Sequence, residues 1–381
     1  LIRQGGLSIC LKKAVKAVKF AVQINGFITP QDISYESMPD KYTTRFVFPY
    51  SVGRNYSGFK DLNSLNDTLS QKLSDLGITT LLFMKNLELI EYEIISKKKT
   101  ESGQYLLEKE IINDHCMLVS ALGSSGKKES DQEQLSFLRF SRPIDQINAQ
   151  TVDIAFPVRI DEEGTYTFEK SSNPFVSVYF PTETESKLDF IVQGPFRTTP
   201  NRSSIPSDDK DNMRLAEETA KLLKSSLVEL RNKGILNMSL LKIMPIDPTP
   251  FFNFPLFNPL NLAVKELLRY HDMLPCRDNK YTKKEFARIS RQERLPAIMP
   301  DSLLTELIDD GNEYHWLPSV LTETNHEYGH LYRFLIGAEM KVPTIRPEDL
   351  RQLINANKSF LPKRPDMWLV ELYSIFENMA L

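Results

Sequence analysis

Five prolines stand within fifteen residues, from Pro245 to Pro259 (PIDPTPFFNFPLFNP). Each proline fixes its own φ and removes an amide donor, so neither a regular helix nor an inner strand can run through this segment. The chain is therefore read as two stretches of different make. Before the prolines, apolar and alternating runs predict strands at Thr43–Pro49, Thr79–Ile95, Phe137–Phe140, Val152–Arg159, Phe175–Phe180 and Leu188–Gln193. One long helix follows over Asp209–Lys233. Its apolar stripe is Leu215, Thr219, Leu222, Leu223, Leu227 and Leu230, with Asp208 or Asp209 to cap its start and Gly234 its end. After Pro259 the spacing predicts helices over Leu260–Tyr270, Lys283–Gln292, Asp301–Ile308, Glu323–Ala338, Pro347–Asn355 and Asp366–Met379. Strands with one long helix, then a run of helices, predict an α+β fold: a strand-rich domain followed by an α-helical one. Ser51–Asn66 and Gly123–Gln134 are read as loops. Phe251, Phe252, Phe254 and Phe257 are expected to plug the junction, with an exposed anchor for a partner as the alternative, and Trp316 and Trp368 to lie in the core of the helical part.

A length of 381 residues leaves room for roughly two or three domains. The net charge of -3 gives no reason to expect non-specific binding to nucleic acid. No apolar run approaches the roughly 20 residues that span a bilayer, and the start carries no signal-peptide pattern. These features predict an intracellular protein without membrane contact, cytoplasmic in the first instance and nuclear in the second. Lys12, Lys13, Lys16 and Lys19 within Leu7–Val22 read as the solvated face of a packed helix, or else as a basic helix for a membrane surface. Cys10, Cys116 and Cys276 are an odd, scattered set, which argues for a reducing compartment rather than a disulfide framework. The sequence begins at Leu1 and is expected to be a piece of a longer protein.

The stretch with most chemistry is Val178–Ile205, read as strand, turn, strand and then a loop. The loop holds Arg197, Thr198, Thr199, Asn201 and Arg202 directly ahead of the long helix. Guanidinium forks and hydroxyls beside a helix start make a candidate anion site, because the first amides of a helix and its dipole favour negative charge. The competing reading is a polar surface loop in which Asn201 and Ser203 make local turns.

The run QGPFRTTPNRSSI within this stretch resembles the sacsin-like family of GHKL proteins, which share a Bergerat-type, heat-shock-chaperone-like ATP-binding fold. Other pieces stand in matching order. YTTRFVFPY resembles the last strand of the ATP-binding domain, LLFMKNLELIE the first strand after it, and WLPSVLTE and DMWLVELYSIF a helical tail. The resemblance covers the chain from about Tyr42 onward. It implies that residues 1–50 are a remnant or the C-terminal end of the ATP-binding domain. Residues 51–250 would be an α+β transducer-like domain and residues 260–381 a helical domain. The implied function is coupling of ATP binding or hydrolysis to conformational change, in a chaperone-like or microbial defence role. ATP and Mg²⁺ would be held by an upstream ATP-binding domain or a partner subunit, with a homodimer as one arrangement. The resemblance gives Arg202 and Arg197 the contact with the terminal phosphate, and Asn201, Thr199 and Thr43 or Thr44 supporting contacts. The family's acidic–Asn helix, Asp-x-Gly-x-Gly loop and glycine-rich lid are not found in this sequence, and Tyr42 stands where glycine is expected. The chain alone is therefore not expected to hydrolyse ATP. The alternative is a non-catalytic interaction scaffold with a degenerate pocket.

A second motif competes. His326-Glu-Tyr-Gly-His330 matches the H-E-x-x-H pattern of zinc peptidases, in which two histidines one helical turn apart hold the metal. At about 100° per residue, Tyr328, Leu331, Tyr332, Leu335 and Ile336 share one side, with His326 and His330 opposite. Glu339, Glu348 and Glu371 are the candidate third ligands. The expectation is a structural helix without metal, with a peptidase centred on His326 and His330 as the alternative.

Overall fold

The computed structural model describes residues 62–74, 76–84, 86–95, 100–124, 132–144, 150–173 and 175–377. The strand expected at Thr43–Pro49, with Thr43 and Thr44, and the lysine-rich segment Leu7–Val22 lie outside the described residues. The chain divides into two compact units. One is Leu1–Asp75 with Glu93–Ser102, and the other is Leu76–Tyr92 with Gly103–Leu381. The described part of the first unit is helix α1, Leu62–Ser74, and the facing tips of two strands, where Ser70 Oγ hydrogen-bonds the Glu101 carboxylate. Helix thus begins within the segment read as loop through Asn66.

The second unit carries an α+β fold built on a nine-stranded mixed sheet. The strands of the sheet, with the tips of the first two counted in the first unit, are β1 Leu89–Ile95, β2 Thr100–Asn113, β3 Cys116–Ser124, β4 Gln132–Pro143, β5 Thr151–Ile160, β6 Tyr166–Phe168, β7 Phe175–Val178, β8 Phe180–Glu185 and β9 Ile191–Gln193. The order across the sheet is β1-β2-β3-β4-β5-β9-β7-β8, with β6 also on β5. Strands β2 to β5 run as an antiparallel meander, and β7 pairs parallel with β9. Strand β5 is buried along nearly its whole length, as a central strand covered on both faces must be. The apolar run at Thr79–Leu82, read as strand, is instead a 3₁₀ turn over Ile78–Leu81. Ile78, Leu81, Leu82 and Phe83 all sink into a small core with Val119, Phe137 and Ala155, so the run has no exposed face to alternate with.

Helix α2, Lys210–Asn232, lies where the stripe placed it. Leu215, Thr219, Leu222, Leu223, Leu227 and Leu230 are buried, Asp209 accepts hydrogen bonds from the Asp211 and Asn212 amides, and Gly234 closes the helix at φ 72°. Short α3, Met238–Lys242, then leads into the proline segment, which forms two 3₁₀ turns. Phe251 and Phe257 are buried there and Phe252 is exposed, so the aromatic cluster is core on one side only. Beyond it come α4 Asn258–Tyr270, α5 Leu295–Ile298, α6 Asp301–Ile308, α7 Gly329–Ile336, α8 Pro347–Ala356 and α9 Asp366–Glu377. Lys283–Gln292, read as helix, instead contains a strand, β12 Ala287–Ser290. The short strand β10 Leu274–Pro275 pairs with β11 Tyr281–Thr282, and β12 pairs parallel with β13 His315–Trp316 and β14 Thr344–Ile345. Burial of Ala287 and Ile289 in alternation shows the two-residue period of that strand.

One continuous core joins the sheet, α2, α4 and α7. A second core gathers Leu295, Leu304, Trp316, Leu350, Phe360 and Leu372. Both tryptophans serve it: the Trp316 indole donates to the Met299 carbonyl at 2.7 Å and the Trp368 indole to the Ile298 carbonyl at 2.6 Å. No helix among the described residues is long and apolar enough to cross a membrane.

Candidate functional site

The loop after β9 is rooted by apolar packing. Gly194 donates its amide to the Ser177 carbonyl, and a Cβ at this position would stand 2.9 Å from the Phe196 ring. Phe196 is buried edge-on against Phe257, with ring centroids 5.8 Å apart. Asn212, fully buried in the first turn of α2, then fastens the loop to the helix. Its carboxamide accepts the Arg197 amide at 2.7 Å and donates to the carbonyls of Arg197 (3.1 Å) and Pro206 (2.9 Å). A residue with three such bonds inside a core holds both ends of the loop at once. Sequence reading passed over Asn212, because an asparagine in a first helical turn ordinarily signals a cap and not a buckle.

Within the loop, Thr199 and Ser204 close a tight turn through backbone and side-chain bonds, and the Arg202 amide donates to the Thr199 carbonyl at 2.8 Å. Asn201 Oδ1 accepts from Thr199 Oγ1 at 2.8 Å and Ser203 Oγ at 2.9 Å. The side chains of Asn201 and Thr199 are therefore occupied in shaping the turn. Ile205 anchors it from below, buried and bonded to Thr184 Oγ1 at 3.0 Å.

The two arginines have different surroundings. Arg197 pairs with Asp209 at 3.5 Å and Asp211 at 2.5 Å. The Asn212 amide first, and then the Arg197 charge and the Asp211 amide, hold the Asp209 carboxyl below its ordinary range. The anion seat expected at the helix start is thus filled by the protein's own Asp209 carboxylate, with Asp208 and Asp211 beside it. That corrects the expectation of a phosphate on the α2 N-terminus, since like charge there repels an incoming anion. Arg202 is exposed and stands at φ 61°, a left-handed conformation that costs a non-glycine residue about 1–2 kcal/mol. Among the described residues it has no carboxylate partner; one Nη donates to the Val178 carbonyl at 2.7 Å. The loop brings Arg197, Thr199, Asn201 and Arg202 together, but Arg202 alone keeps a guanidinium open to an anion.

The HEYGH segment has a different geometry from the one its motif predicts. Helix α7 begins at Gly329, and His326 and Glu327 lie in the turn before it, so the two histidines do not share a helical face. Glu327 pairs with the nearly buried Lys242, whose ammonium also sits 5.3 Å from the centre of the Tyr328 ring. His330 Nε2 hydrogen-bonds the Lys242 carbonyl at 2.9 Å, and His326 is exposed. The segment docks α7 onto the end of α3, and the glutamate that would activate water in a peptidase neutralises a lysine.

An open groove of about 940 Å³, unmarked by any sequence motif, is lined by Tyr166, Lys233, Asn237, Cys276, Lys280 and Tyr281 among others. No protein-family model matches the chain, and comparisons with curated proteins and with solved structures return no match.

Proposed function

We propose that the chain is the transducing part of a sacsin-like GHKL ATPase, in which Arg202 meets the terminal phosphate of ATP and Mg²⁺ held by an upstream domain or a partner subunit. The observation that carries this reading is the state of Arg202: exposed, without a carboxylate partner among the described residues, and kept in a costly backbone conformation at the tip of a turn that Thr199, Asn201, Ser203 and Ser204 close by hydrogen bonds. A positioned guanidinium stabilises charge spread over phosphoryl oxygens and registers whether the phosphate is present. The loop is built to pass that contact on. Through Asn212 it is fixed to α2, a helix of 23 residues and therefore about 35 Å long, whose buried stripe lies in the main core. A pull on the tip is delivered to the core rather than absorbed by the loop. The output would be clamp-like motion in a chaperone-like or defence role.

The test is ATP turnover by the longest natural form of the protein. Arg202→Ala is expected to lower turnover by about 10²–10³-fold with nucleotide affinity changed only a few-fold. Arg197→Ala, which removes a partner of Asp209 and Asp211, is expected to lower it far less. A wild-type rate in Arg202→Ala, or no nucleotide hydrolysis by the wild type, would overturn the reading.

A further inference from the structure

We propose that Cys276, Asp278 and His315 bind one zinc-type divalent metal ion, with Asp301 as the residue that orients His315 for it. One candidate ligand atom from each of the three lies within 4.8 Å of the other two, and among the described residues no other group of three His, Cys, Asp or Glu side chains meets that condition. The inference is independent of the Arg202 reading.

The backbone brings these residues together by design of the local fold. Cys276 and Asp278 stand in the tight turn between β10 and β11. The Cys276 amide donates to the Lys280 carbonyl at 2.8 Å, and Asn279 takes a left-handed φ of 61° to close the turn. His315 opens β13, and the Arg277 amide stitches the turn to that strand by donating to the Trp316 carbonyl at 3.2 Å. Asp301, the first residue of α6, fastens the other side. Its Oδ2 lies 2.8 Å from His315 Nδ1 and its Oδ1 accepts the Trp316 amide at 3.1 Å. A carboxylate on Nδ1 keeps the proton there and leaves the lone pair on Nε2, the arrangement that stands behind metal-ligating histidines.

The donor set selects the ion. A thiolate, an imidazole and a carboxylate suit a borderline-soft cation, and zinc takes such ligands tetrahedrally with water in a remaining position. Bonds of about 2.0–2.3 Å would hold the ligand atoms about 3.3–3.5 Å apart, so rotation about side-chain bonds is enough to close the site. Lys280, 2.9 Å from Asp278, now supplies the balancing charge and would yield to the metal. The ion would tie two bodies of the fold. Leu274, two residues before Cys276, belongs to the core beneath the sheet, while Trp316 and Leu304 belong to the second core. Binding is therefore expected to stabilise the fold by stapling one core to the other.

The experiment titrates the whole purified chain, stripped with chelator, with Co²⁺ and then Zn²⁺. One equivalent of Co²⁺ is expected to bind with a near-ultraviolet thiolate-to-cobalt band that Zn²⁺ displaces, and Zn²⁺ is expected to raise Tm reversibly with chelator. Cys276→Ser and His315→Ala abolish the band, Asp301→Asn weakens binding about 10–100-fold, and His326→Ala leaves it unchanged. Where a core variant loses its far-ultraviolet dichroism, Asp278→Asn decides: it alters an exposed residue and is expected to lower affinity at least tenfold. No cobalt band in the wild type, a band of full strength in Cys276→Ser, wild-type cobalt affinity in Asp278→Asn, or loss of the band in His326→Ala would overturn the assignment.

Discussion

Arg139 and Asp153 form an ion pair inside the sheet, and cutting it in two ways separates the cost of an orphaned charge from the worth of the pair. The Asp153 carboxylate is fully buried; its Oδ1 accepts from Arg139 Nε at 3.2 Å and Nη2 at 2.8 Å and from Ser141 Oγ, and its Oδ2 from Thr151 Oγ1 at 2.9 Å. The Arg139 guanidinium, also buried, donates onward to the Leu82 carbonyl at 3.0 Å and lies 5.3 Å from the Phe83 ring centre. Asp153→Ala leaves that guanidinium without a counter-ion, and a buried charge so stranded costs about 3–5 kcal/mol. With a urea m-value of about 3 kcal/mol/M, a loss of about 4 kcal/mol moves the unfolding midpoint down by about 1.3 M. Arg139→Met strands the carboxylate and is expected to cost a similar amount. The double variant Arg139→Met/Asp153→Leu removes both charges and leaves the Leu82 carbonyl and two hydroxyls short of partners, so it should lose only about 1–3 kcal/mol. The two single losses would sum to about 6–10 kcal/mol, so the cycle should show coupling of at least about 3 kcal/mol. Far-ultraviolet dichroism is the probe, because both tryptophans report the second core. A single variant displaced by less than about 0.3 M, or a double variant equal to the sum of the singles, would refute the buried pair.

Two further outcomes follow from individual residues. Gly234 holds φ 72° with open space around its missing Cβ, so Gly234→Ala meets no clash and should cost only the left-handed penalty, about 1 kcal/mol by urea unfolding; a loss above about 3 kcal/mol would mean the position is crowded. Burial pushes the Cys116 thiol up to about 12, with the nearby Glu229 charge adding to the shift. Its folded form therefore stays protonated where the unfolded thiol ionises, and the native state should lose stability as pH rises from about 9 towards 12, by at most about 1.4 kcal/mol per unit from this group. Cys116→Ala should flatten that alkaline decline relative to wild type, and an identical decline would reject the assignment.

What the sequence disclosed follows a physical rule: it shows which face of an element is buried, and it is silent on what that face meets. Helix α2 was readable to within a residue at each end, because a stripe at helical spacing, an aspartate cap and a left-handed glycine all speak locally. Strand β12 was not, since four residues carry too few periods to tell strand from helix and its partners, β13 and β14, arrive from far along the chain. HEYGH shows the same limit from the side of function. The spacing of a motif means something only on the element it presumes, and here the helix starts after His326, with Glu327 drawn away by a lysine 85 positions earlier. The loop ahead of α2 repeats it: Arg197 and Arg202 look alike in sequence, and only the fold gives one of them two aspartates and the other a backbone carbonyl on an exposed tip. By that rule a site assembled from distant segments leaves no motif at all. Cys276, Asp278 and His315 follow no metal-binding spacing, yet two backbone stitches bring their ligand atoms within 4.8 Å of one another, with the Asp301 carboxylate bonded to the His315 imidazole. The chemistry of such a cluster is set by which side chains the turns and caps bring into contact, so it has to be sought in hydrogen-bond geometry rather than in residue order.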